Sequence, residues 1–327
     1  MTLRALLPLA LIAGCSATAS RNVPPATDAG EAASPQVDGG SGGDSDAPGD
    51  SSPETGGDSE AGSSSNDAGA DSSAPPPWDV LDFSGWALDV PVNAQGQLSG
   101  TNDATIVNPI SASFPVGDLA YFHSGAAGGV VFYAPVNGAT TTSSYYPRCE
   151  LAEEAYSEAH GGMNWPLTLG GTMNVDVSVD DVPSIHGGTK NGDVVIGQIK
   201  GVSSELCKIR YTGGSETIAA APYTIYVEYN NATVSGSFGV VPVSTIGLSE
   251  RFSYEIQLAN NAYTVSITYQ GHTYSGTSGP LDASWSSDTY YFKAGVYTQA
   301  NSGGQGGDTE GTGAGQVTIR SLEASHP

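Results

Sequence analysis

Three short segments of the chain alternate in character with a period of two. They are Tyr-Pro-Arg-Cys-Glu-Leu (146–151), Gly-Gln-Ile-Lys-Gly (197–201) and Tyr-Phe-Lys-Ala-Gly-Val-Tyr-Thr-Gln (291–299). Successive side chains on a strand point to opposite faces, so residues two apart share one side of a sheet. The pattern predicts that Arg148 and Glu150, Gln198 and Lys200, and Lys293, Tyr297 and Gln299 line one surface. Cys149, Leu151, Ile199, Phe292, Ala294 and Val296 are then directed into a core. A polar face drawn from three distant strands points to a site rather than to mere solvation.

The same periodicity recurs elsewhere. Val130–Ala134, Met173–Val179, Tyr223–Tyr229, Phe252–Leu258, Tyr263–Tyr269 and Val317–Leu322 read as strands, with Asn260-Asn261 and Gln270-Gly271 as turns. No convincing amphipathic helix exceeds a few turns. Many short strands, frequent turns and 44 glycines predict an all-β fold, a jelly-roll sandwich of two antiparallel sheets. The glycine-rich, acidic stretch 303–315 reads as a lid or, by preference, a long hairpin connection.

Residues 77–327 are expected to make this one domain, because what precedes them cannot form a core. Residues 15–76 are mostly Ser, Gly, Ala, Asp, Glu and Pro, which predicts a disordered acidic tether. Its eleven acids against Arg21 extend it by self-repulsion beyond the ~45 Å expected of about 60 flexible residues. Residues 1–14 carry Arg4 and an apolar run too short to span a bilayer, followed by Cys15. This resembles a bacterial lipoprotein signal, with Cys15 the lipidated residue. The expectation is export and lipid anchoring to the cell envelope, at the outer membrane, or an extracellular location.

From Trp78 onward there are 23 acidic and eight basic residues. Such a balance excludes a diffuse basic surface for nucleic acid. A polyanion would have to bind through a local cluster against the overall field. Cys149 and Cys207 remain after lipidation of Cys15, and in an exported protein they are expected to form a disulfide. No cysteine or histidine spacing resembles a zinc site.

The match to a known family runs along most of Trp78–Leu322. Val80–Pro91, Val131–Pro135 with Gly138–Thr141, and Tyr146–Leu151 resemble the opening and arginine strands of polysaccharide lyase family 7, the jelly-roll alginate lyases. Gln198-Ile199-Lys200 stands where that family carries Gln-Ile-His or Gln-Val-His, and Tyr291–Gln299 matches its C-terminal motif throughout. Two departures stand out. Ala152 occupies the place of a second arginine, and Lys200 that of the histidine. His123, His160, His186, His272 and His326 lie outside the motifs and read as loop or surface residues.

The resemblance implies a concave substrate groove, an anionic polysaccharide as partner, no cofactor and a monomer. It also implies β-elimination from a 4-linked polyuronate. That reaction removes the weakly acidic C5 proton, so the sugar carboxylate must be neutralised and the enolate-like intermediate stabilised. A base takes the C5 proton and an acid protonates the departing O4. Arg148 and Gln198 fit neutralisation. Tyr297 fits the acid and, once ionised by neighbouring cations, the base. Lys200 is either a further neutralising ammonium or, if deprotonated, the base. Glu150 orients Arg148 or contacts sugar, and Lys293 and Gln299 are substrate contacts. Alginate and glucuronan-like polymers both remain open as substrates. A non-catalytic carbohydrate-binding protein derived from a lyase is the alternative. A glycoside hydrolase of the Glu-x-Asp-x-x-Glu type is disfavoured, because Glu150-Leu151-Ala152-Glu153-Glu154 lacks that spacing.

Overall fold

Two antiparallel sheets pack face to face in a computed structural model, and the alternation of the sequence is what closes the layer between them. The structure describes residues 74–327 except 115–118, 143, 215–222, 231–237, 279 and 304–309. The expected signal, Cys15 and all but the end of the tether therefore lie outside the described residues.

The strands in chain order are β1 (Trp86–Val90), β2 (Thr105–Val107), β3 (Phe122–Ser124), β4 (Val130–Pro135), β5 (Arg148–Glu153), β6 (Trp165–Pro166), β7 (Gly171–Asp181), β8 (Ser184–Ile185) and β9 (Asp193–Gly201). They continue with β10 (Glu205–Thr212), β11 (Thr224–Asn230), β12 (Phe238–Thr245), β13 (Phe252–Ala259), β14 (Ala262–Tyr269), β15 (His272–Thr277), β16 (Thr289–Thr298), β17 (Gly311–Thr312) and β18 (Ala314–Ser325). One sheet runs β12-β11-β10-β9-β16-β5-β1-β2, with β6 added beside β16. The other runs β15-β14-β13-β7-β18-β4-β3. Helix is confined, among the described residues, to α1 (Pro77–Val80), α2 (Ala155–Ala159) and short 3-10 turns. The jelly-roll expectation holds.

Phe252, Tyr254, Ile256 and Leu258 of β13 and Met173, Val175, Val177 and Val179 of β7 face inward, every second residue, with polar neighbours outward. Asn260 and Asn261 both take positive φ (51° and 61°), the geometry a two-residue hairpin needs to match strand twist. From the opposite sheet come Cys149, Leu151, Ile199, Phe292, Ala294 and Val296, each fully buried in the shared core as the alternation predicts. A ring such as Phe292 contributes ~1.5–3 kcal/mol by leaving water.

The stretch around residue 310 is more ordered than a plain hairpin connection. Glu310 bridges Asn301, and β17 pairs with β8 before the chain enters β18; residues 304–309 lie outside the described residues.

The expected Cys149–Cys207 disulfide is absent: no S–S bond joins the two cysteines, and both are buried. Cys149 lies on β5 and Cys207 on β10, with β16 and β9 between them. Three strand spacings separate them by ~14 Å, far beyond the reach of an S–S bond. Burial pushes the Cys207 thiol up to about 12, an inert core sulfur. Alternation assigned both cysteines to the core face but carried no information on which strands are neighbours.

Candidate active site

The three motif strands, far apart in sequence, are adjacent in the sheet: β16 lies between β9 and β5. Register then fixes who meets whom. Tyr297 pairs with Arg148, Gly295 with Glu150, Lys293 with both Ala152 and Gln198, and Tyr291 with Lys200. The β16–β9 register slips between Ala294 and Tyr297, which brings Tyr297 opposite Val195. Gly295 makes this possible: its φ is +138°, and a Cβ there would stand 2.6 Å from the Cys149 carbonyl oxygen.

Glu150 is the hub. It is fully buried and accepts from Arg148 Nη1 at 3.0 Å and from Gln198 Nε2 at 2.5 Å. Lys293 Nζ lies 2.7 Å from the same carboxylate and 3.2 Å from Asp89. Burial by itself would raise the Glu150 pKa, but the Lys293 ammonium and then the Arg148 guanidinium hold it below the usual value. Lys293 is likewise disfavoured by burial, yet Glu150 and Asp89, with Tyr291, together keep its pKa above the ordinary lysine value. Carboxylate and ammonium are thus both charged, and Arg148 and Gln198 are held in one orientation.

Arg148 Nη2 also donates to Ser144 Oγ at 2.9 Å, and that hydroxyl lies 3.2 Å from the Tyr297 oxygen. The Arg148 guanidinium carbon is 3.8 Å from the Tyr297 ring centroid. Tyr146 packs tilted against the Tyr297 ring, with Val195 completing a small apolar patch. Phenol and guanidinium are therefore locked together.

Lys200 belongs to a different group. Its Nζ is 3.4 Å from Glu205, across the β9–β10 pairing, and Lys208 binds the same carboxylate at 2.6 Å. Burial opposes ionisation of Glu205, but Lys208 and then Lys200 hold its pKa at about 2. The ladder continues from Lys208 to Glu228 (3.9 Å), from Glu228 to Arg210 (2.5 Å), and from Arg210 to Asp193 (3.1 Å). Tyr226 donates to Asp193 at 3.2 Å. Burial raises the Asp193 pKa, with Arg210 opposing.

Gln299 lies just beyond β16, mostly buried, with its side-chain amide donating to the Thr298 carbonyl; no described contact joins it to the Glu150 hub. Sequence reasoning passed over Asp89, Ser144, Glu205, Glu228 and Asp193. Lys208, Arg210 and Glu228 obey the same period-two rule, so β10 and β11 could have been read as part of the face. Ser144 gives no such signal, since it lies in a loop.

A groove of about 510 Å³ opens on this face, lined by Asp89, Arg148, Lys200, Tyr291 and Lys293, with Ala152 in its wall. None of the five histidines lines it. His160, His186 and His272 are exposed, and His123 is half-buried on β3. His326 departs from the surface expectation: its ring is held by Gly170 O at 2.7 Å and Glu153 at 2.6 Å. Among the described residues, no group of three or more His, Cys, Asp or Glu is arranged to hold a metal ion.

Glu150, at the centre of this face, is thus a buried anion occupied in orienting donors. Hydrolysis of a glycoside would instead need two accessible carboxyl groups with separate roles. The jelly-roll sandwich that carries these donors and the phenol is that of a polysaccharide lyase. Comparison with known proteins places it further. Residues 81–326 match the family model described as alginate lyase. The chain is 28% identical over 297 residues to an alginate lyase of Klebsiella pneumoniae, covering 78% of this chain and 92% of that protein. A crystal structure of the alginate lyase from Klebsiella pneumoniae aligns with a TM-score of 0.60 at 25% identity, over 77% of this chain and 99% of the other. The alginate lyase AlgAT5 of polysaccharide lyase family 7 aligns at 0.57 and 28%, over 78% and 100%. The chain belongs to the alginate lyase family, polysaccharide lyase family 7.

Proposed function

We propose that this protein cleaves a 4-linked polyuronate, alginate or another uronan, by β-elimination, leaving an unsaturated uronate end. The observation that carries the reading is the coupling of Arg148 to Tyr297 across one strand pair, with Gln198 and Lys293 drawn to the same buried carboxylate. A uronate placed over Arg148 and Gln198 receives hydrogen bonds on its carboxylate, which acidifies the C5 proton and stabilises charge as it develops. Tyr297 then serves as acid toward O4 and, in a syn elimination, as the base that first removes the C5 proton. Arg148 supplies positive charge beside the phenol as that proton leaves.

Lys200 takes the neutralising rather than the basic part. An anionic Glu205 at 3.4 Å favours the ammonium form, which cannot accept a proton. Glu150 acts by orienting Arg148, since it exposes no surface to sugar. Lys293 borders the groove and contributes charge from below. The protein is exported and held at the cell envelope through Cys15 and its acidic tether, working as a monomer.

The test is a panel of mannuronate-, guluronate- and glucuronate-rich polymers, following ultraviolet absorbance of the unsaturated product. Tyr297→Phe should lower kcat at least ~100-fold with little change in KM. Lys200→Ala should raise KM, and Lys200→His should retain activity. Near-normal turnover by Tyr297→Phe would remove the acid–base assignment. Binding without absorbance change on every polymer would favour a carbohydrate-binding protein instead.

A further inference from the structure

Ser144 touches both members of the Arg148–Tyr297 pair, although no motif of the sequence includes it. It lies in the loop before β5 and is only 2% exposed. Four polar groups surround its Oγ: Arg148 Nη2 at 2.9 Å, the Tyr146 backbone N at 3.3 Å, the Tyr146 carbonyl oxygen at 3.1 Å and the Tyr297 hydroxyl at 3.2 Å.

A serine hydroxyl accepts two hydrogen bonds and donates one. The guanidinium and the backbone N–H can only donate, so they fill both acceptor positions. Ser144 therefore has no lone pair left to receive the phenol proton of Tyr297. Its own proton has two oxygens in reach, the Tyr146 carbonyl and the Tyr297 hydroxyl. Beside a neutral phenol that proton rests on the carbonyl. Beside a phenolate it turns about Cβ–Oγ, with no heavy atom moving, because a charged oxygen is the stronger acceptor. Glu150 keeps this arrangement in place by holding Arg148 Nη1 at 3.0 Å.

We propose that Ser144 is a positioning residue for the elimination: filled as an acceptor by Arg148 and the Tyr146 N–H, it turns its one proton onto the Tyr297 oxygen when that oxygen is ionised and leaves the phenol proton to the sugar. This rests on the polyuronate-lyase reading and deepens it. The C5–H bond breaks and its proton joins the Tyr297 phenolate. The phenol then passes a proton to O4 as the C4–O4 bond breaks, and the C5 electron pair becomes the C4–C5 double bond. The phenolate is restored, and the Ser144 proton never leaves Ser144.

The charged groups around Tyr297 stand in two directions. Across β5 is Arg148, held by Glu150, which Lys293 shares. Beyond Val195 of β9 is Arg210 of β10, held by Asp193 and Glu228, with Tyr226 next on β11. From the loop Tyr146 packs its ring on Tyr297. None of these changes with residue 144, so a difference between pH profiles reports the hydroxyl.

The experiment follows kcat and KM of the full chain from acid to alkaline pH on polymannuronate, polyguluronate and polyglucuronate, by ultraviolet absorbance of the unsaturated end. In Ser144→Ala the acid limb of the profile should move about one pH unit higher, because a donor to the charged oxygen is gone. The rate on that limb should fall about threefold to tenfold and recover at the alkaline plateau, with KM changed by less than about twofold. Ser144→Thr, which keeps the hydroxyl, should return the limb to its wild-type place. Ser144→Cys, similar in shape but a weaker donor, should move the limb the same way as alanine, and it carries the test if melting curves show Ser144→Ala unfolded. A loss by one factor at every pH would make Ser144 a mere support of the loop and overturn the proposal. Superimposable profiles of wild type and the alanine or cysteine variant would overturn it too, and either result leaves the lyase reading standing. No product from wild type on any of the three polymers would overturn both readings.

Discussion

Replacing Glu150 by glutamine keeps the shape of the hub and removes its charge. Arg148 and Lys293 then lose the anion they share, at 3.0 and 2.7 Å. Removing one partner of a buried ion pair costs ~3–5 kcal/mol, because the other charge is left uncompensated. Lys293 keeps Asp89 at 3.2 Å and Arg148 keeps Ser144 at 2.9 Å, which places Glu150→Gln near the lower bound. For a domain of about 250 residues each kcal/mol shifts Tm by ~2–4 °C, so a loss of ~3 kcal/mol lowers Tm by ~6–12 °C at neutral pH. The pH dependence is a sharper check. The folded pKa of Glu150 is depressed, so its stabilisation is present above the ordinary carboxylate value of 4.5 and fades as pH falls through the folded value. Melting curves followed by circular dichroism from neutral pH into acid should therefore show the two proteins converging. The double variant Glu150→Gln/Lys293→Met should be more stable than the sum of its single changes, because the stranded ammonium is gone. A neutral-pH gap under ~2 °C, or one constant across the acid range, would refute the hub.

Three further outcomes follow from particular contacts. Gly197→Ala would put a Cβ 2.7 Å from the Tyr254 hydroxyl, which is fixed by its bond to Ile196 O, so overpacking should cost ~1–3 kcal/mol in denaturant titration; Tyr254→Phe in the same chain should recover part of it. Cys149 and Cys207 should resist a thiol reagent in the native protein and both react after denaturation without reductant, read by intact mass. His326 offers its two ring nitrogens to two acceptors and its pKa is raised: burial lowers it, but Glu153 and the Gly170 carbonyl together outweigh this. Its stabilisation is present below the unfolded value and lost as pH rises through the folded one, so wild type should lose Tm just above the ordinary histidine range and His326→Phe should lose none there.

The alternation in 146–151, 197–201 and 291–299 was enough to sort side chains by face. Cys149, Leu151, Ile199, Phe292, Ala294 and Val296 are all in the core, and Arg148, Glu150, Gln198 and Lys293 meet on the other side. The rule works because the period of a strand is local, set by the backbone alone. It failed for the cysteines, whose common facing said nothing of the two strands between them. It was also silent about Lys200, which shares a face with Gln198 but leans to Glu205 across the hairpin.

By itself, then, the sequence determined the all-β class, the buried and polar faces of each motif strand, and the family the motifs resemble. Only the tertiary structure decided that β16 separates β9 from β5, that Glu150 sits where three donors converge, and that the groove's cations are each met by a carboxylate. The physical reason is that facing is encoded two residues at a time. Strand adjacency, and with it every pairing of charge across the sheet, depends on partners as far apart as Asp89 and Lys293.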